Sequence, residues 1–216
     1  MRIAEPVLPL QMESAISLEE ALSMAQSDES TLEAYRFCTG SAAGWVLEKG
    51  EYKACSFLSC RLTGAHLSKS WLRDVVFERC ELSGLRLMES TLQRVRFVNC
   101  KFSGANLAGA SLQDVLFQNC TADGLMLPES RLKNVVFEDC NLQDASFSAL
   151  GKKSSFCFER CDLRAVDFFR TSLNGIDLTS CEIDGIRLEG PEVRGAIVTA
   201  LQACDLAKLL GVVIKS

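Results

Sequence analysis

Histidine is almost absent from this chain, and its scarcity excludes several classes of active site. The 216 residues include one histidine, His66, between Ala65 and Leu67, where we expect it at the surface. Serine and cysteine nucleophiles need a neighbouring base, most often histidine, and zinc centres use the same residue heavily. Phosphate-binding glycine patterns of the GxGxxG or GxxxxGK type are also missing. The sequence therefore predicts a protein that is not an enzyme.

The chain also lacks a long apolar segment. No apolar run approaches the roughly 18 residues of a membrane-spanning helix. The first residues, MetArgIleAlaGluProVal, lack the apolar core of a signal peptide. We therefore expect a cytoplasmic protein that does not associate with a membrane.

What the chain has instead is a large apolar residue at every fifth position, from about Tyr35 to Val193. Helices repeat every 3.6 residues and half-buried strands every 2, so a period of five requires a chain that turns a corner once per repeat. A second period of twenty residues is superimposed on the first. Its clearest members are Phe57, Phe77, Phe97, Phe117 and Phe137, with Cys60, Cys80, Cys100, Cys120 and Cys140. Four five-residue repeats thus form one coil.

Coils of this kind predict an all-β solenoid, a right-handed, four-sided parallel β-helix. Each coil would pair its backbone with the next at a spacing of about 4.8 Å. Residues 35–193 would make about eight coils of twenty residues. Glycines recur at one corner of the coil, where a residue with positive φ is needed, at Gly64, Gly84, Gly104, Gly124 and Gly185.

These repeats resemble those of the pentapeptide-repeat family. The segments CysGluLeuSerGly (80–84), AlaAsnLeuAlaGly (105–109) and CysAspLeuArgAla (161–165) look like its motif, and the resemblance covers about three quarters of the chain. It implies the β-helix fold. The best-understood members bind DNA gyrase and related type II topoisomerases by imitating duplex DNA, and so counter quinolones. In that branch, C-terminal elements build a head-to-head dimer.

Cysteine is plentiful, with eleven residues, but no CxxC pair occurs. Seven cysteines occupy one inward column, Cys60, Cys80, Cys100, Cys120, Cys140, Cys161 and Cys181. Stacked side chains that point the same way have poor geometry for a disulfide. We interpret the column as buried free thiols in a reducing compartment. A metal or redox ladder is the less favoured alternative, so the sequence predicts no cofactor and no metal.

The chain divides into three parts. Residues 1–34 contain a capping box, Ser17 to Glu20, that predicts a helix of about ten residues covering the first coil. Residues 35–193 form the β-helix. Residues 194–216 contain a second capping box, Thr199 to Gln202, then a helix to Leu210 and a β-branched tail that predicts a short strand.

The C-terminal element has more apolar surface than a simple lid needs. Either it caps the last coil or it joins two chains in a homodimer, and the sequence leaves both interpretations open. The residues concerned are Leu201, Leu206, Leu209, Leu210, Val212, Val213 and Ile214.

Two further features are candidate partner-binding surfaces. The repeat slips by one residue within 148–156, which predicts a small loop carrying Lys152 and Lys153. This loop is either a tolerated insertion or a recognition loop. Val76, Leu116 and Val136 share an outward column that is predicted to face solvent, either through strand propensity alone or as a docking strip.

Charge bears on the choice of partner. The chain has a net charge of −5. From Tyr35 to Val193 there are nineteen basic and twenty acidic residues, a net charge of −1, whereas a DNA mimic needs a strongly negative face. Direct binding of nucleic acid is disfavoured by this acidity and by the lack of a basic, aromatic-rich stripe. The sequence therefore predicts a non-catalytic scaffold that binds another protein of unknown identity. The alternative is a DNA-mimicking topoisomerase binder.

Overall fold

A computed structural model describes residues 1–14, 16–27, 31–209 and 211–214, and shows a parallel β-solenoid with a helix near each end. The helices are α1 (Leu18–Ser27) and α2 (Ala200–Leu209), and a short 3₁₀ helix spans Pro191–Val193. The strands are β1 (Thr31–Glu33), β2 (Arg36–Phe37), β3 (Glu51–Lys53), β4 (Ser56–Leu58), β5 (Trp71–Glu78), β6 (Thr91–Val98), β7 (Ser111–Gln118), β8 (Arg131–Glu138) and β9 (Phe156–Glu159).

The strands stack one coil above another in the order β1-β3-β5-β6-β7-β8-β9, with β2 and β4 joining the ladder at β5. Every pairing is parallel, and as far as β8 the partners lie twenty residues apart, as in Leu92 with Leu112. Seven stacked strands correspond to about six turns. The prediction of eight coils was slightly too high for the strand ladder, because the coils after β9 contribute only isolated bridges such as Asp162 with Glu182. The predicted parallel β-helix is confirmed.

The offset between paired residues changes from twenty to twenty-one at β9, where Val135 pairs with Phe156. The extra residue lies in a turn at 152–153, inside the predicted interval 148–156. The predicted loop is therefore present.

Backbone turns with positive φ form the corners of the coil. Gly64, Gly84, Gly104 and Gly124 have φ between 63° and 66°. Residues with side chains take the same conformation at the other corners, as in the column Asp74, Arg94, Asp114 and Asn134, with φ between 51° and 58°. Each such residue costs about 1–2 kcal/mol relative to a right-handed conformation, so the stacked backbone hydrogen bonds and core must hold the corners in place.

The core is a column of stacked side chains inside the coil. Phe57, Phe77, Phe97, Phe117 and Phe137 lie above one another with ring centroids 4.7–5.1 Å apart. The buried cysteines line a neighbouring column, and their thiols donate hydrogen bonds to the backbone. The Cys80 thiol, for example, donates to the Phe57 carbonyl oxygen at 3.3 Å. All eleven cysteines are free.

The helix α1 covers the first coil, as predicted. Its capping box is formed, since the Ser17 backbone N–H donates to the Glu20 carboxylate at 2.9 Å and the Glu20 N–H donates to the Ser17 hydroxyl at 3.2 Å. Leu18, Ala21, Leu22 and Ala25 are all buried in the core. Among the described residues, no helix is long and apolar enough to cross a membrane.

Candidate interaction surfaces

The C-terminal element packs against the last coil on one side only. The predicted capping box forms, with the Thr199 N–H donating to the Gln202 side-chain oxygen at 2.9 Å. The Gln202 amide also donates to the carbonyl oxygens of Leu178 and Cys181, each at 2.8 Å. Leu206 is buried beside these bonds. One face of α2 is therefore a cap.

The remaining apolar residues of this element face away from the solenoid. Leu201 is 75% exposed and Val213 84% exposed. The other exposed members are Leu209, Val212 and Ile214, and we call these five residues the C-terminal patch. Leu210 lies outside the described residues. The predicted short strand is wrong for residues 212–214, which have no ladder partner among the described residues; the Val212 N–H donates instead to the Ala207 carbonyl oxygen at 3.0 Å.

The outward column of Val76, Leu116 and Val136 does not face solvent as predicted. Leu116 and Val136 are buried, with 6% and 7% exposure, and Val76 is half-buried. The first seven residues, which we call the N-terminal arm, lie beside this column. Ile3 is half-buried and lines the same cavity as Leu116 and Val136. The prediction of exposure was wrong because the arm of the same chain covers part of the column.

Polar contacts hold the arm on three strands, β5, β6 and β7, and Ile3 lies beside Val136 on β8. The Val7 N–H donates to the Asp74 carboxylate at 2.9 Å, and the Ala4 N–H donates to Asp114 at 3.3 Å. Glu5 forms an ion pair with Arg96, the residue that interrupts the apolar column. The arm therefore runs from β8 towards β5, perpendicular to the strands.

Hydrogen bonds favour the ionised form of the two carboxyl groups that bind the arm, Asp74 and Asp114. Partial burial opposes the charge on Asp74, but hydrogen bonds from Arg94 and from the Val7 N–H outweigh it and lower its pKa. Arg94 approaches Asp74 with two bonds of 2.6 Å each. Burial is likewise outweighed at Asp114, whose pKa is lowered by hydrogen bonds from Asn134 and Ala4.

The predicted lysine loop borders a groove. Lys152 and Lys153 are exposed, and Ser154 and Ser155 attach the loop to β8. The groove has a volume of about 440 Å³. Its lining residues are Ser111, Leu112, Gln113, Arg131, Leu132, Lys133, Gly151, Lys152, Lys153 and Ser154.

The sequence did not reveal two of these features. The arm has no periodic signal, and its contacts link residues between 67 and 110 positions apart. The groove was not predicted because Arg131 and Lys133 are about twenty residues from the loop lysines in the sequence. The twenty-residue period is the signal that could have brought these two cation pairs together.

Metal ligands are not gathered at one place in the part of the chain that the structure describes. No group of three or more His, Cys, Asp or Glu side chains is arranged to hold a metal ion there. His66 is half-buried within a bridge ladder between Val46 and Arg86. Burial raises the pKa of the Cys55 thiol to about 11, and burial also raises the pKa of Cys181. Both thiols are therefore poor nucleophiles at neutral pH.

Several solved structures are similar to this chain. HetL, a protein involved in heterocyst differentiation regulation from the cyanobacterium Nostoc sp. strain PCC 7120, is 18% identical, with 85% of this chain and 98% of that chain covered and a TM-score of 0.37. Full-length QnrB1, a plasmid-mediated fluoroquinolone resistance protein, is 21% identical, with coverages of 84% and 90% and a TM-score of 0.38. Rfr23 from the cyanobacterium Cyanothece 51142 is 15% identical, with coverages of 84% and 99% and a TM-score of 0.18.

These likenesses are too distant to say anything about the function of this chain. No curated protein matches it. A sequence profile described as "Pentapeptide repeat region" matches residues 51–125 and 90–156. These residues include β3 to β8, in which the five-residue period, the twenty-residue register and the four-cornered coil coincide. The chain belongs to the pentapeptide-repeat family.

Proposed function

We propose that the protein is a non-catalytic scaffold that acts by binding another protein in the cytoplasm. The observation that carries this proposal is the C-terminal patch, Leu201, Leu209, Val212, Val213 and Ile214, which leaves large apolar side chains between 45% and 84% exposed. Grouped apolar side chains on a protein surface are typical of interaction sites. Free buried thiols are compatible with a reducing compartment.

A second copy of the same chain is the simplest occupant of this patch. Two copies related by a two-fold axis would cover the same residues on both chains, because such an interface is self-complementary. Residues 212–214 are β-branched and have no ladder partner among the residues that the structure describes, so they could pair across the axis. The C-terminal element would then cap its own coil through Leu206 and bind its partner through the opposite face.

The oligomeric state tests this part of the proposal. Light scattering of the unmutated protein should give the mass of a dimer, and Leu209→Asp should give that of a monomer with an unchanged far-ultraviolet spectrum. The matched control is Met24→Asp on α1, which places the same charge at an exposed apolar residue near the opposite end of the chain. A monomeric unmutated protein would end the dimer proposal.

The wider proposal concerns a different protein as partner. Affinity capture from the native host, followed by reconstitution with the purified partner, should give a complex weakened by changes in the C-terminal patch or the lysine loop. The apolar column of Val76, Leu116 and Val136 remains a proposed docking strip that would need the arm to leave. A reconstituted complex unaffected by changes to all three surfaces would reject these site assignments.

DNA mimicry directed at a type II topoisomerase is the second candidate. The C-terminal coils are rich in acidic residues, but arginines pair with several of them. Arg160 contacts Glu138 at 2.6 Å and Asp139 at 2.7 Å, and Arg164 contacts Asp162 at 2.6 Å. Positive charge inside the acidic region weakens the imitation of a phosphate backbone. A gyrase supercoiling assay with and without a fluoroquinolone tests this candidate, and no effect at micromolar protein would reject it.

A further inference from the structure

The groove beside the lysine loop arises where the strand ladder opens. On the preceding rungs the pairing of β5 with β6, of β6 with β7 and of β7 with β8 begins at the first residue of each strand, but β8 pairs with β9 only from Val135 onward. Lys152 and Lys153 form an exposed turn there, while the Gly151 and Ser155 N–H groups still donate to backbone carbonyl oxygens of the preceding coil. The hydroxyl groups of Ser154 and Ser155 accept the N–H groups of Leu132 and Asn134, at 3.2 and 2.9 Å. The loop is thus fixed at its base, and the recess next to it is a built feature.

Four cations surround this recess. Arg131 and Lys133 project from β8, and Lys152 and Lys153 project from the loop; all four are exposed. No acidic residue lines the groove. Within the described chain, none of the four forms an ion pair. Asp114 lies on the adjoining corner, where it accepts hydrogen bonds from Ala4, Gln113 and Asn134 and attracts the Lys133 ammonium, which helps to lower the pKa of this carboxyl group. Asp114 therefore compensates part of the charge at Lys133, whereas Arg131, Lys152 and Lys153 have no ion-pair partner among the described residues.

The surface that leads into the groove carries no negative charge. Two columns of outward residues run across β5 to β8, as fixed by the strand register. They are Trp71, Thr91, Ser111 and Arg131, and Arg73, Gln93, Gln113 and Lys133. Each column extends about 14 Å over its four rungs. An extended acidic segment could lie along the first column, whereas the second column borders a corner at which Asp74 lies 3.7 Å from Arg73 and Asp114 accepts a hydrogen bond from Gln113.

The sign of the groove contrasts with that of the whole protein. The chain carries a net charge of −5, so the charge of a cluster of four cations is opposite in sign to that of the whole chain. Solubility alone does not account for this local excess of positive charge. Cationic side chains together with serine hydroxyl and glutamine amide donors form a surface that recognises carboxylates.

We propose that this groove binds an acidic, extended peptide segment of a partner protein. The inference rests on the proposed scaffold function and specifies one of its contacts. A peptide fits better than a nucleic acid because proteins that hold a duplex commonly neutralise 6–10 phosphates, whereas the groove offers four cations. The overall negative charge of the protein would also repel a long polyanion.

Fluorescence anisotropy with defined probes tests this inference. The probe is a labelled octapeptide of alternating glutamate and serine, and its neutral counterpart has glutamine in place of glutamate. At about 50 mM salt, the acidic probe should bind the full chain and the neutral probe should not. The double variant Lys152→Glu/Lys153→Glu should weaken binding by at least about tenfold. Arg131→Gln/Lys133→Gln should weaken it in the same direction.

The matched control is Lys49→Glu/Lys69→Glu. These exposed lysines lie on adjacent rungs of another corner column, in which Glu89 and Glu129 already have the same positive φ. The control makes the same change in net charge away from the groove, so it should bind the probe much more tightly than the loop variant. Thermal melting of both variants should match that of the unmutated chain.

Three outcomes would overturn the inference. They are no binding of the acidic probe, equal weakening by the loop and control variants, and tighter binding of a single-stranded oligonucleotide of equal length. None of them would affect the C-terminal patch. Conversely, a chain that binds the acidic probe but captures no partner would contradict the scaffold proposal while leaving the anion-binding chemistry of the groove in place.

Discussion

A helix covers each end of the solenoid, and the two helices are equal in length but bury different numbers of apolar side chains. Both α1 and α2 have ten residues and both begin with a reciprocal capping box. Four apolar residues of α1 are buried, whereas Leu206 is the buried residue of α2. Open coils expose apolar side chains and unpaired backbone, so both ends need a cover. The first helix buries its apolar face on the first coil, whereas the second helix also has an exposed apolar face.

The close fit of α1 is visible at Gly40. Its φ is 135°, and a Cβ atom at this position would lie 2.8 Å from the Cβ atom of Leu18. A side chain would therefore force the helix away from the first coil. In contrast, α2 is attached mainly by the Gln202 amide and by Leu206. Apolar packing dominates at one end, and directed hydrogen bonds contribute more at the other.

The largest expected effect comes from breaking the first lid. Leu22→Ala removes a side chain that is 1% exposed and should lower the free energy of unfolding by about 2–4 kcal/mol. The control Leu201→Ala, on α2, alters a side chain that is 75% exposed and should change it by less than about 0.5 kcal/mol. Urea denaturation of both variants, under conditions in which the chain is monomeric, measures the difference. Similar losses would mean that the two helices cover their coils equally.

The next effect concerns the polar anchor near the C-terminal end. Glu192 is buried, and its carboxylate accepts N–H groups from Arg170, Glu189 and Gly190 at 2.8–3.0 Å. Glu192→Ala leaves these donors without a partner and should cost about 2–3 kcal/mol. Thermal or urea unfolding checks this value, and a cost below about 0.5 kcal/mol would contradict it.

Acid should weaken the same anchor. Burial opposes ionisation of Glu192, but the backbone N–H groups outweigh it and lower its pKa. The contribution to stability is therefore complete above the ordinary pKa of glutamate and is lost as the pH falls through the lower folded value. Glu192→Gln should remove this part of the pH dependence. If both proteins lose stability equally on acidification, the carboxylate is not the responsible group.

Removing the two capping boxes should lower the free energy of unfolding by different, smaller amounts. Ser17→Ala removes a cap from α1 and should cost about 1 kcal/mol. Gln202→Ala removes its cap and also the two bonds to the carbonyl oxygens of Leu178 and Cys181, so it should cost about 2 kcal/mol. Urea denaturation of both variants gives the comparison. A larger loss for Ser17→Ala would reverse the assignment of directed bonding to the C-terminal end.

The smallest effect on unfolding is expected for Leu209→Asp. Its side chain is 49% exposed and lies on the free face of α2, so the monomer should lose less than about 0.5 kcal/mol. Unfolding at high dilution measures this value separately from any change in mass. A loss of 2 kcal/mol or more would show that the free face also serves as a lid.

The sequence predicted those parts of the fold that repeat or that are local. The period of twenty predicted the partners of the strands, and Ser17 and Thr199 predicted where both helices begin. The one-residue slip predicted the loop at Lys152 and Lys153. All of these rest on residues that are close in the chain or separated by a fixed interval.

The contacts that the sequence did not predict are long-range and occur once. Nothing in the period shows that Ala4 and Val7 would reach Asp114 and Asp74 and so cover Leu116. The strand expected from the β-branched residues 212–214 failed for a related reason. Strand propensity describes how a residue fits a sheet, but it does not supply a neighbouring strand.

The left-handed corners have a consequence for how this molecule can change. Lys69, Asp74, Arg79, Glu89 and Asn99 all take nearly the same backbone conformation while projecting different chemistry outward. The inward positions determine the coil, and these corner positions tolerate acid, base and amide alike. Natural variation or laboratory design can therefore change the charge pattern on the outside of the solenoid, one coil at a time, while the buried residues that determine the coil stay the same.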